Sequence, residues 1–239
     1  MGGLRLPRQA PGTESKPTDT VWKPDADNLA GKGWYTRYGA APRPEYPADA
    51  PKGTTAVSGQ IRTVAGSPLA GVTVGIGKAT ARTDAQGRFL VTGTDAGHRV
   101  LRVDGRTGSA DRTYGVFDIG VDVPAGKTLR VADTVFLPQT DTSTTVRIAS
   151  PTTEKTVLKT PAIPGLEVHI PAGAVVRDGD GKLATELSIT PIPIDRTPFP
   201  LPPTQVPIYF TVQPGSGYLF PDGAQIVYPN YTREAPARG

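Results

Sequence analysis

The sequence predicts an all-β protein, built as two tandem β-sandwiches behind an extended aromatic- and proline-rich N-terminal arm. Three observations carry this. The 239 residues include 28 glycines and 26 prolines, a load that interrupts helices and marks turns. Short apolar alternations recur at a spacing of roughly ten residues, as in sandwich domains. No apolar run keeps helical spacing for more than a turn or two.

Residues 1–53 read as a flexible tail and arm. The first twenty or so are polar and without period. Residues 21–53 hold both tryptophans, Trp22 and Trp34, with Tyr35, Tyr38 and Tyr46. A disordered linker is normally poor in aromatics, so these rings are expected to anchor the arm on a folded surface. Residues 54–140 form the first sandwich. "AVSGQIRTV" gives Val57, Ile61 and Val64, and "GVTVGIG" places Val72, Val74 and Ile76 on one face. "HRVLRVDG" sets Val100 against Leu101 and Val103. "YGVFDIGVDV" separates Val116, Asp118, Gly120 and Asp122 from Phe117, Ile119, Val121 and Val123. Residues 145–232 form the second sandwich, through "TVRIAS", "KTVLKT", "LEVHIPAGAV", "ATELSITPIPI", "VPIYFTVQP" and "AQIVYPN". Their prolines are expected to flank strands, where a missing N–H does least harm. "PAGAVV" could open a helix, but no apolar residues follow at helical spacing. Residues 233–239 read as a truncated tail. The chain is expected to be a fragment of a longer one, with any export signal outside it.

The formal net charge is +4, and basic and acidic residues are interleaved without long runs. Nucleic acid is therefore not an expected partner. There are no cysteines, which excludes disulfides and thiolate metal sites. No stretch approaches eighteen apolar residues, so no membrane span is expected. "MGGLRLPRQAPG" lacks the apolar core of a signal peptide.

The polar residues of "RTDAQGRFLVTGTDAGHRVLRVDG" invite a catalytic or metal reading through Asp84, Asp95, His98 and Asp104. Turn chemistry explains them better. In "TDAQGRF" the Asp84 carboxylate accepts from backbone N–H groups, Gly87 supplies a positive φ, and Phe89 returns to the core. Asp104-Gly105 carries the same kind of turn signal. "DGDGK" begins like a calcium loop with Asp178 and Asp180, but the later ligand positions hold Lys182, Leu183 and Ile189, so a hairpin turn is expected. A serine triad would need His98 or His169 as base. His169 lies within an alternating strand, Ser67 and Ser216 sit in turns, and no nucleophile elbow exists. "GIGKAT" lacks the third glycine and the helix of a nucleotide fingerprint. No catalytic, cofactor-binding or metal residues are assigned, and no cofactor is expected.

"VSGQIRTVAGSPLAGVTVGIGKATARTDAQGRFLVTGTDAGHRVLRVDG" resembles the carboxypeptidase regulatory-like domain, a transthyretin-like sandwich, through Gly59, "GSPLAGV", "TDAQGRF" and "GHRVLRV". The resemblance implies a scaffold without catalysis of its own. The second half is similar to the β-sandwich shared by ankyrins and netrin receptors, through "VHIPAGA", "LSITP" and "YLFPDGAQIVYP". Some relatives of that domain cleave themselves beside a serine, but the His-Phe-Ser they use has no match here. Taken in order, Val21 to Asn230 resembles the region upstream of the repeats in bacterial Rhs/YD-repeat proteins, with "SITPIPIDRTPFPLP" the most distinctive part.

That resemblance implies a non-catalytic structural or plug-like N-terminal module. It would flank or seal a YD-repeat shell and support effector delivery by a secreted or cell-surface protein. The implied partners are the shell of the same parent protein or its cleaved remainder, and a secretion-system or cell-surface component. The candidate interaction residues are Trp22, Trp34, Tyr35 and Tyr38 in the arm, and Phe199 and Leu201 in "DRTPFPLPP", a proline-stiffened docking segment. The alternative is a carbohydrate- or cell-surface-binding module using the arm aromatics as a platform.

Overall fold

The computed structural model of the chain describes residues 20–29, 43–199 and 208–229. The fold is all-β, as the alternation predicts. The first half runs through β1 (Ala56–Thr63), β2 (Thr73–Ile76), β3 (Ala79–Arg82), β4 (Arg88–Thr92), β5 (Gly97–Asp104), β6 (Val116–Val123), β7 (Thr128–Arg130) and β8 (Val135–Leu137). One sheet has the order β3–β2–β5–β6, antiparallel throughout. The other centres on β1, which pairs antiparallel with β4. Its start pairs in parallel with β7 and its end with β8. One core draws on both sheets, through Val57, Ile61 and Phe89 from one and Val74, Leu101 and Ile119 from the other. Along β6 the residues alternate cleanly from Phe117 onward, apolar inward and Asp118, Gly120 and Asp122 outward.

Turns follow the local chemistry. Asp84 Oδ1 accepts from the amides of Gln86 and Arg88 at 2.9 and 2.8 Å, and Gly87 has φ of 72°. Burial pushes the Asp84 carboxyl up, but these amides and the Arg88 side chain outweigh it and hold the group below its usual range. Asp104 does not close a two-residue hairpin. It caps a single 3-10 turn, Gly105–Thr107, by accepting from the Arg106 amide.

The second half contains β9 (Val146–Arg147), β10 (Thr156–Lys159), β11 (Glu167–Ile170), β12 (Val175–Arg177), β13 (Glu186–Ile192), β14 (Tyr209–Gln213), β15 (Tyr218–Phe220) and β16 (Gln225–Val227). They form β14–β13–β9, β10–β11–β16 and the pair β12–β15. Leu158, Ile163, Leu166, Val168 and Ile189 centre its core. "PAGAVV" leads into strand β12 rather than a helix. Pro191 lies inside β13, not at its flank. There β13 pairs with β14 while β9 reaches only Glu186 and Leu187, so no second strand is laddered against Pro191.

Two segments tie the halves together. In "LPQTDTSTT", Asp141 is buried and its amide donates to Thr190 Oγ1, while Thr144 Oγ1 bonds the Ile189 carbonyl. These bonds fasten the link to β13. Ile192 of β13 belongs to the first core, and Tyr209 of β14 packs against it. Near the N-terminus, helix α1 (Ala26–Leu29) is one turn, closed by reciprocal bonds between Asp25 and Asn28. Its Leu29 packs on the second core. Farther along, Glu45 N donates to Gln60, Ala50 N donates to Thr128, and Tyr46 donates to the Val131 carbonyl at 2.6 Å. Arg130 lies 5.3 Å over the Tyr46 ring and pairs with Asp49 at 3.0 Å. The first half's β1 is therefore covered on its second side, which explains why residues 56–61 are all buried.

Candidate functional site

Two regions stand out once the halves are in place: the junction between them, and an apolar surface at β15 and β16. The junction is an arginine–carboxylate cluster. Arg102 on β5 and Arg106 on the following 3-10 turn reach across to the turn that follows β12. Arg102 donates to Asp180 Oδ1 at 2.9 Å and to the Gly179 carbonyl at 3.3 Å. Arg106 grips Asp104 with two bonds, at 2.8 and 2.6 Å, and reaches Asp180 Oδ2 at 3.0 Å. Asp178 lies 4.0 Å from Arg106 and spends one oxygen on its own turn, accepting from the amides of Asp180 and Lys182. "DGDGK" thus forms the expected turn, and Asp180 faces arginines.

The hydrogen bonds from Arg106 hold Asp104 and Asp180 below the ordinary aspartate value of 3.8, and Asp104 in turn raises Arg106. Carboxylates lowered in the folded state stabilise it above their unfolded value and lose that contribution as pH falls through the folded one. Stability from this cluster is therefore present at neutral pH and lost below about pH 4. Asp180→Asn is expected to cost under about 1 kcal/mol at pH 7, because the cluster is partly exposed. The wild type and variant should converge on acidification; denaturant titrations at pH 7 and pH 3 would show it, and a gap that widens at pH 3 would contradict the assignment.

Close packing tightens the same junction. A Cβ on Gly215 would lie 2.0 Å from the Val116 carbonyl oxygen, and one on Gly115 would lie 2.3 Å from Gln213 Nε2. In "DRTPFPLPP" the residue that contacts the first half is Arg196, which the sequence did not single out. Its guanidinium donates to the Val64 carbonyl and lies 5.6 Å over the Phe136 ring, and the Phe136 amide donates to the Thr197 carbonyl. Phe199 is 37% exposed, and Trp22 is half-buried. Trp34, Tyr35, Tyr38 and Leu201 lie outside the described residues.

The two histidines each meet one carboxylate. His98 Nδ1 is 3.0 Å from Asp122 on the open surface, and His169 Nε2 is 2.6 Å from Glu167. Lys159, and then His169, hold Glu167 below its usual range. Among the described residues no three histidine or acidic side chains cluster in a way that could hold a metal ion.

The second region is apolar. Tyr218, Phe220, Ile226, Val227 and Tyr228 are all between 37% and 54% exposed. The first four sit on β15 and β16, each an outer strand of its sheet, joined by residues 221–224, and Tyr228 follows β16 directly. Tyr218 stacks on Phe220 with centroids 6.1 Å apart, and Tyr228 on Phe210 at 6.4 Å. The apolar residues of "YLFPDGAQIVYP" signal strands in the sequence, but nothing local indicates that they face outward.

No family model matches the chain, and no curated protein matches it either. Among the described residues no helix is long and apolar enough to cross a membrane.

Proposed function

We propose that the chain is a non-catalytic structural module that acts by shape. In this reading it is the N-terminal part of a secreted or cell-surface Rhs/YD-repeat protein, with two sandwich-like halves that flank or seal the repeat shell. The observation that supports it best is the exposed apolar surface of β15 and β16. Five large apolar side chains within eleven residues of sequence, four on outer strands and Tyr228 just beyond, mark a contact surface rather than ordinary solvent-facing sheet. An apolar β-rich partner would bury this surface and extend its edges. The braced junction serves the same end, since a plug must hold its shape under load.

The test begins with the reading frame beyond Gly239, where tandem YD repeats are expected. In the full-length parent, a photo-crosslinking residue at Ile226 should then capture the shell, and Ile226→Asp should release the module from it. A frame without repeats, or crosslinks that never reach the shell, would sink the reading.

A further inference from the structure

The outer face of the β3–β2–β5–β6 sheet holds a cleft of about 360 Å³, beside the junction, lined by Thr73, Gly75, Thr80, Val100, Arg102 and Asp118. That volume lies within the usual range for a small-ligand site, roughly 300–1,000 Å³.

Two independent features mark it. The first is a pair of glycines within strands, Gly75 in the lining and Gly120 beside it. Gly75 stands opposite Arg102 in the pairing of β2 with β5, and Gly120 stands opposite Val100 in the pairing of β5 with β6. Neither has a positive φ. A Cβ would meet nothing nearer than 3.5 Å at Gly75, and nothing nearer than 3.4 Å, the His98 ring, at Gly120. The fold therefore has room for side chains at both positions. Glycine inside a strand costs stability, and it often marks a place where a ligand or another backbone approaches closely. Between them Val100 is 52% exposed, although both neighbouring strands could have carried side chains to cover it.

The second feature is an unpaired charge. Asp118 stands directly opposite Arg102 on the same face, a register in which opposite charges normally pair. Arg102 instead turns to Asp180 and the Gly179 carbonyl across the junction. The Asp104 carboxylate is held by Arg106. Asp118 is left exposed, without a hydrogen bond or ion pair among the described residues. The cleft thus presents one uncompensated carboxylate, the exposed Val100 side chain and the hydroxyls of Thr73 and Thr80.

We infer that this cleft binds a lysine or arginine side chain presented by an extended polypeptide. The cation sits on Asp118, and its methylene stem lies along Val100. The partner's backbone rests on the bare strand surface at Gly75 and Gly120, with its polar groups within reach of the threonine hydroxyls. A polypeptide fits better than a free amine because the bare surface extends past the carboxylate on both sides of Val100. The junction creates the site, since Arg102 would otherwise neutralise Asp118.

The experiment is an amide-shift titration of the isotopically labelled chain with acetyl-Gly-Lys-Gly-amide. Acetyl-Gly-Gln-Gly-amide and maltotriose serve as comparisons. The lysine peptide is expected to shift Gly75, Val100 and Gly120 saturably and to bind about tenfold more tightly than the glutamine peptide. Asp118→Asn, an exposed change that leaves the core untouched, should remove that preference, and Gly75→Leu should block the cleft. Equal response to the two peptides, no saturable shift at these residues, or a maltotriose response that survives Asp118→Asn would overturn the assignment.

Discussion

Phe89→Ala is expected to lower the unfolding free energy by about 3–5 kcal/mol, because the ring is almost wholly buried at the centre of the first core. The ring also has a specific neighbour. Gly59 faces Phe89 across the β1–β4 pairing, and a Cβ on Gly59 would lie 2.7 Å from the Phe89 ring. Gly59→Ala should therefore destabilise the wild type by forcing the ring aside. In a Phe89→Leu background the same change should cost less, since the shorter side chain leaves room. Denaturant unfolding of the four proteins would measure the coupling, expected at about 1 kcal/mol or more. Strict additivity would mean that the ring does not rest on Gly59.

Gly87→Ala is expected to cost about 2–5 kcal/mol for two separate reasons. Its φ of 72° lies in the left-handed region, worth roughly 1–2 kcal/mol to any residue with a Cβ. A Cβ there would also lie 2.2 Å from the Ile61 carbonyl oxygen, adding overpacking of about 1–3 kcal/mol. Gly77 separates the two causes. Its φ is 58°, and nothing lies within 4 Å of its would-be Cβ, so Gly77→Ala should carry only the backbone penalty. Thermal or denaturant unfolding of both variants is the check. If they prove equally mild, the turn does not press on β1 as described.

These two positions show what was readable in advance. Asp84, Gly87 and Phe89 lie within six residues of one another, and their roles follow from local hydrogen bonding and alternation. The "DGDGK" turn was readable for the same reason. Gly59 was singled out only through a resemblance, because its constraint comes from a ring on another strand. The charged groups at the junction were not readable at all. Asp180 was foreseen as part of a turn, but its arginine partners are 74 and 78 residues away. Arg196 was missed beside the more conspicuous Phe199, since the Val64 carbonyl it reaches lies 132 residues away. The outward-facing apolar residues of β15 and β16 were legible only as strand residues, because alternation reveals a face without revealing what covers it.

The all-β character, most strand positions and the chemistry of the tight turns were determined by the sequence alone, since each depends on neighbours a few residues apart. Only the tertiary structure decided that Arg102 turns to Asp180 and leaves Asp118 bare, that the link is fastened to β13, and that β15 and β16 face outward. The physical reason is range: dihedral preference and backbone bonding act within a turn or a strand, whereas charge pairing and burial depend on which distant segments the finished packing brings together.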